Sequence, residues 1–207
     1  MDSKYKKLSQ ANMAFKNDEI IQACVLYKKL LLFYTEEDIS FYSLIINNII
    51  ENFYVLKNNE RYLLLQLNDN KIKCEIKPEG YQYLCRLLLC SDYQTRILSI
   101  EFLKRYFTDE MFNLSVKYTI LSLLDKETTT YDEVISILSL ISLFFSVFGD
   151  YFIKNLKLLT TKYSHLYSNI KDVIEKNYIN IDISILNMGV KMNSNINNIE
   201  VYELNNN

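Results

Sequence analysis

Glycine and proline are nearly missing from this chain of 207 residues, which has three of the first and one of the second. All-β sandwiches and barrels need many tight turns, and Gly and Pro make most of them. Rossmann and P-loop enzymes need Gly where backbone amides approach phosphate. The scarcity argues against both classes. Tryptophan is absent, and His165 is the one histidine. A lone His with four dispersed Cys and no C-x-x-C pair does not supply a metal-ligand set. No nucleophile motif accompanies His165. No enzyme activity, cofactor or metal is therefore expected. An excess of positive charge is also lacking: 23 Lys+Arg stand against 25 Asp+Glu, a net −2. Dedicated nucleic-acid binders are usually basic, so nucleic acid is expected only as a neighbour within a ribonucleoprotein.

What is present is apolar and aromatic. Hydrophobic residues make up 49%, with 17 Tyr and 11 Phe, enough for a sizeable core. The expected fold class is all-α, a helical-repeat stack of about nine helices. Cys24, Cys74, Cys85 and Cys90 suit a reducing compartment, and Cys24, Cys85 and Cys90 read as small core residues. The polar start Met-Asp-Ser-Lys is unlike a signal peptide, and a cytoplasmic location is expected. The uncharged run Val134–Phe148 is shorter than the roughly 20 residues a bilayer crossing needs. It reads as a buried central helix over 131–147 that stops at Gly149; a membrane-inserted segment is the alternative.

Helical periodicity recurs along the chain. Tyr5, Leu8, Ala11, Asn12 and Phe15 make one stripe, and Ile20, Ala23, Tyr27, Leu30 and Leu31 another. The break Lys16-Asn17-Asp18 separates them, with Asp18 placed to cap the second helix. A third helix starts within Thr35–Asp38 and runs to about Leu56, where Lys57-Asn58-Asn59 is a polar stop. Residues 61–77 are ambiguous: KIKCEIK at 71–77 alternates like a strand, so a small β-hairpin competes with a helix and loop. Pro78 and Gly80 mark the main internal boundary. Beyond it, Ser91-Asp92 and Thr108-Asp109 are helix starts, and Thr130-x-x-Glu133 has the spacing of a capping box. Helices over 150–159 and 165–176 follow. The expected organisation is 1–77, 78–178, and a mostly flexible tail at 179–207, in which 179–185 alternates like an edge strand.

Residues 11–30 resemble the first unit of a tetratricopeptide repeat. Ala11 takes the small position and Asn12 follows it. Phe15 is the aromatic, Asn17-Asp18 the turn, Ala23 the packing residue, Tyr27 the second aromatic and Leu30 the last apolar site. A second unit is placed at about 40–67, with Asn47 or Asn48 in its first helix and Leu63 or Leu64 where a small residue is usual. Residues 81–177 resemble armadillo or HEAT stacks in pattern. Together these are similar to the myosin co-chaperone family and other chaperone adaptors. In that family a lysine and two asparagines clamp a chaperone's terminal carboxylate. Asn12 matches one asparagine and Asn47 or Asn48 the other, while Leu8 stands where the lysine belongs, next to Lys7.

The resemblance implies a non-enzymatic adaptor. Its groove would be lined by Tyr5, Leu8, Asn12, Lys16 and Asn48, and would hold a protein partner such as a chaperone C-terminal tail. Ordinary core packing is the competing role for Tyr5 and Leu8. Two other functions compete with the adaptor. One is a permanent subunit of a larger assembly, such as a ribosome-associated, coat or transport complex. The other is a helical bundle like the apoptosis regulators, suggested by FFSVFGD at 144–150 although their Asn-Trp-Gly-Arg signature is absent. The lysine groups Lys4/Lys6/Lys7, Lys71/Lys73/Lys77 and Lys154/Lys157/Lys162 read as solvated faces.

Overall fold

A computed structural model describes residues 3–33, 38–67 and 71–177. The described residues are all-α: eleven α-helices, two short 3-10 turns and no strand. The helices are α1 (Ser3–Lys16), α2 (Ile20–Leu32), α3 (Ile39–Val55), α4 (Asn58–Leu65), α5 (Pro78–Leu88) and α6 (Tyr93–Tyr106). They continue as α7 (Leu114–Asp125), α8 (Tyr131–Leu143), α9 (Phe145–Lys154), α10 (Leu156–Lys162) and α11 (Tyr167–Lys176). The chain divides into two compact units, Met1–Ile137 and Leu138–Asn207. The alternating piece at 179–185 and the tail lie outside the described residues.

In the first unit each helix packs on its successor or on the helix after that. α1, α3, α5 and α7 touch in turn and form one layer. α2, α4 and α6 form a second. Side-chain bonds between successive hairpins recur at a nearly constant spacing. Lys4–Asp38, Asn58–Asp92, Arg61–Thr95 and Cys85–Thr119 are each 34 residues apart, Asn12–Asn48 is 36 and Arg96–Glu133 is 37. Offsets of 34 to 37 residues are compatible with a stacked helical repeat, while other bonds between helices or loops have other offsets, such as 28 residues for Asn47 to Glu75 and 42 for Tyr106 to Leu64.

The caps explain most helix starts. Asp38 accepts from the Phe41 amide at 3.1 Å, and Asp92 from the Thr95 amide at 3.0 Å. Thr130 and Glu133 form the reciprocal box, with the Thr130 amide donating to Glu133 at 2.8 Å and the Glu133 amide to the Thr130 hydroxyl at 3.4 Å. Three expected stops and starts differ. Asp18 makes no cap; it sits in the left-handed region at φ 63° and turns the chain between α1 and α2. Its short polar side chain tolerates that geometry. Only Lys57 interrupts the helices at 57–59, because Asn58 and Asn59 already belong to α4. Thr108-Asp109 opens a 3-10 turn, Asp109–Met111, and Asn113 is the cap of α7, accepting from the Val116 amide at 2.9 Å.

The single helix expected over 131–147 is two helices. Phe144 leaves helical geometry, and α8 and α9 are bent by 119° at this break. No single described helix is long and apolar enough to cross a membrane. Gly149 does not end a helix. It lies inside α9 without a positive φ, and a Cβ there would stand 2.5 Å from the Phe145 ring. Its smallness is used, rather than its left-handed freedom. The helices expected at 150–159 and 165–176 begin elsewhere: α9 runs to Lys154, α10 follows at once, and His165 lies in a 3-10 turn before α11.

Candidate interaction groove

The segment 71–77 explains how the groove is built. Cys74 and Ile76 are buried while Lys73, Glu75 and Lys77 are exposed, so the strand-like alternation is real. Its partner, however, is a helix rather than a strand. The Glu75 amide donates to the Ser43 hydroxyl at 3.0 Å. The Asn47 side chain donates to the Glu75 carbonyl at 2.8 Å and accepts from the Lys77 amide at 2.8 Å. Two polar side chains of α3 thus stand in for a neighbouring strand; of the two readings open for 61–77, the described residues take the helix followed by a loop and not the hairpin. Pro78 then takes the first helical position, where its fixed φ suits the turn. Gly80 brings α5 close to α3: a Cβ there would lie 3.0 Å from the Ile76 side chain and 3.4 Å from Asn47 Oδ1.

Between α3 and the start of α5 lies an open cleft of about 270 Å³. Leu44, Asn47, Asn48 and Glu51 line one wall at helical spacing, and Lys77, Glu79, Gly80 and Tyr83 the other. Tyr83 is braced by stacking on Tyr54, with ring centroids 4.6 Å apart. The rim carries two carboxylates, Glu51 and Glu79, against one ammonium, Lys77, all exposed.

Behind this wall lies a half-buried polar relay centred on the buried Tyr27. The Tyr27 hydroxyl donates to Asn12 Oδ1 at 2.6 Å and accepts from Asn52 Nδ2 at 2.8 Å. Asn12 Nδ2 donates to Asn48 Oδ1 at 3.3 Å, and Asn48 Nδ2 to the Leu44 carbonyl at 2.8 Å. Burial pushes the Tyr27 phenol up to about 12, the Asn52 hydrogen bond opposing it. Tyr27 therefore stays a donor at neutral pH. An amide has two N–H donors and two acceptor lone pairs, so Asn48, half-buried at the cleft wall, keeps capacity for a ligand. Asn47 spends its amide on Ser43, Glu75 and Lys77.

The structure thus joins Asn12 and Asn48 of the sequence-based set. Tyr5 packs edge-on against Phe41 at 5.0 Å between ring centroids. Leu8 is buried in the core, and Lys16 is exposed at the last residue of α1. Sequence reasoning missed Glu51, Lys77, Glu79 and Tyr83. The signal for them was the i, i+3, i+4, i+7 series Leu44, Asn47, Asn48 and Glu51, together with Pro78 and Gly80 opening the next helix. The groove can hydrogen-bond and pair charge. Cys24 and Cys74 lie apart from it, their thiols pushed up by burial to about 11 and about 12 and so protonated and unreactive at neutral pH. His165 is exposed and edge-on to Tyr163. Comparison with known proteins finds no matching family model, no similar curated protein and no similar solved structure.

Proposed function

We propose that the chain is a non-enzymatic helical-repeat interaction module that holds a segment of a partner protein in the cleft between α3 and α5. The observation that supports this most is the recurrence of bonded pairs at 34 to 37 residues. It covers the period of tetratricopeptide repeats, whose stacked first helices line a binding surface. Ala11 and Ala23, both fully buried where α1 and α2 cross, fit the small-residue positions of that family.

The charge of the cleft refines the reading. Two carboxylates against one ammonium favour a Lys- or Arg-containing segment over a terminal carboxylate. The chaperone-adaptor reading requires Asn12 and Asn48 to face a carboxylate together with a cation; here they bond to each other, and Leu8 is buried.

The test is the binding of two labelled peptides to the full chain. One is an extended segment with two lysines, and the other is an acidic segment ending in a free carboxylate. The cationic peptide is expected to bind, and the double charge reversal Glu51→Lys/Glu79→Lys to weaken it on the order of tenfold or more. Binding of the acidic peptide, lost in Asn12→Ala and Asn48→Ala, supports the chaperone adaptor instead. If neither binds and the native protein migrates only as part of a large particle, a permanent assembly subunit is the better reading.

A further inference from the structure

The outer face of α2 carries a surface that the cleft does not use. The buried residues of this helix are Ile20, Ala23, Cys24, Tyr27 and Leu30. On the opposite side Ile21 is 73% exposed, Val25 48% and Leu32 73%. With exposed Lys28 they follow spacings of four, three and four residues. At 3.6 residues per turn these four positions fall within roughly 60° of one another. Helices that lie in a membrane surface, or cover a core, need a broad apolar arc of at least about 100°. A narrow stripe with 4-3-4 spacing is instead the seam along which a second helix packs its side chains.

The charge on this seam is of one sign. Lys28 occupies a seam position, and Lys29 lies beside it. Both lysines are exposed, and α2 carries no acidic residue from Ile20 to Leu32. A second copy of the same face would bring Lys28 and Lys29 of both chains onto one seam, which like-charge repulsion opposes. We infer that the outer face of α2 docks an acidic amphipathic helix of a partner protein, its apolar side chains packing among Ile21, Val25 and Leu32 and its Asp or Glu carboxylates meeting Lys28 and Lys29. This surface is opposite the buried side of α2 and does not depend on the cleft between α3 and α5.

The experiment uses the full chain and a synthetic helix of about three heptads with Leu at seam positions and Glu beside them. A matched peptide carries Lys in place of every Glu. Fluorescence anisotropy at physiological salt is expected to show the acidic helix bound and the basic helix bound on the order of tenfold more weakly or not at all. Val25→Asp should abolish binding of both. Lys28→Glu/Lys29→Glu should reverse the preference toward the basic helix, a result that a misfolded variant cannot give. Circular dichroism of each variant checks that the fold is kept. Equal binding of the two peptides, or binding of neither, overturns the proposal. So does binding to phosphatidylcholine–phosphatidylserine vesicles that Val25→Asp removes while the acidic helix stays free. A dimer in sedimentation that Val25→Asp dissociates would assign the face to self-association and equally overturn it.

Discussion

Glu133 has no exposed side-chain surface, and three interactions meet at its carboxylate. Arg96 donates from Nε and, at 3.0 Å, from its second guanidinium nitrogen, while the Thr130 amide donates to the same group. Burial alone would raise the Glu133 carboxyl, but the Arg96 and Thr130 hydrogen bonds outweigh it and hold the carboxyl below its ordinary 4.5. A carboxyl depressed in the folded state binds its proton more readily when unfolded, so its contribution is complete well above pH 4.5 and is lost as pH falls below it. The Asp92 carboxyl is lowered in the same direction, to about 2, by hydrogen bonds from Thr95 and Asn58. Acid unfolding is therefore expected between about pH 4.5 and 2, and urea midpoints taken across that range should fall steadily. Glu133→Gln keeps an acceptor for Thr130 but leaves Arg96, 11% exposed, without its carboxylate. It is expected to cost about 3 kcal/mol at pH 7 and to flatten the acid limb. An unchanged acid limb in that variant would assign the pH dependence elsewhere. Asp18 gives a second residue-scale expectation. At φ 63° a β-branched side chain is strained, so Asp18→Val should lose about 1–2 kcal/mol while Asp18→Gly stays within roughly 0.5 kcal/mol of the native chain. Equal stability of the Val variant would contradict the left-handed turn.

At the scale of elements, legibility depended on whether the determining contact is local. The capping box at Thr130 and Glu133, the Asp92 cap and the first two helical stripes were all readable, because each is settled within four residues. The break at Phe144 was not, since the run from Val134 to Phe148 is apolar on both sides of it and carries no polar stop. The segment 71–77 falls between. Its period of two was legible and is kept in the burial of Cys74 and Ile76, but the partner that satisfies its backbone lies 28 to 32 residues earlier, on α3. No local pattern distinguishes a strand awaiting a strand from one that lies on a helix. The cleft was half-legible for the same reason: Asn48 was named from the repeat pattern, whereas Lys77 and Glu79 enter it only because Asn47 fixes the segment before α5. Asn47→Ala removes both cross-element bonds at once, which at about 1 kcal/mol each should cost about 2 kcal/mol. Hydrogen exchange at the Lys77 amide, and tryptic cleavage after Lys73, are expected to accelerate together. Fast exchange at Lys77 in the native chain would mean that the segment is not pinned as described.

On the scale of the whole first unit, the stack is held by neighbour-to-neighbour joints, and Arg61, like Arg96, makes four hydrogen bonds at one of them. Its guanidinium donates to the Phe53 carbonyl at 2.9 Å and the Tyr54 carbonyl at 3.2 Å. These are carbonyls in the last turn of α3, which have no partner within the helix. It also reaches Asn58 of α4 at 2.8 Å and Thr95 of α6 at 2.9 Å. One buried side chain therefore ties three helices from two successive hairpins. Burial lowers its pKa, the Asp92 carboxylate opposing the shift, and a guanidinium stays charged at neutral pH. In a repeat stack, stability is approximately a sum of unit terms and nearest-neighbour terms, and cooperativity rests on the neighbour terms. Arg61→Ala should therefore lower stability by about 3 kcal/mol and also loosen the joint between the hairpins. In native-state hydrogen exchange across a urea series, α2–α3 and α6–α7 of the native chain are expected to lose protection together, and in the variant at separate urea concentrations. Arg61→Met fills much of the same volume without the hydrogen bonds and should behave like Arg61→Ala. If Met restores joint loss of protection, the joint is held by packing rather than by the guanidinium. If α2–α3 and α6–α7 stay coupled in both variants, Arg61 is a local cap of α3 and the stack owes its cooperativity to the apolar layer contacts alone.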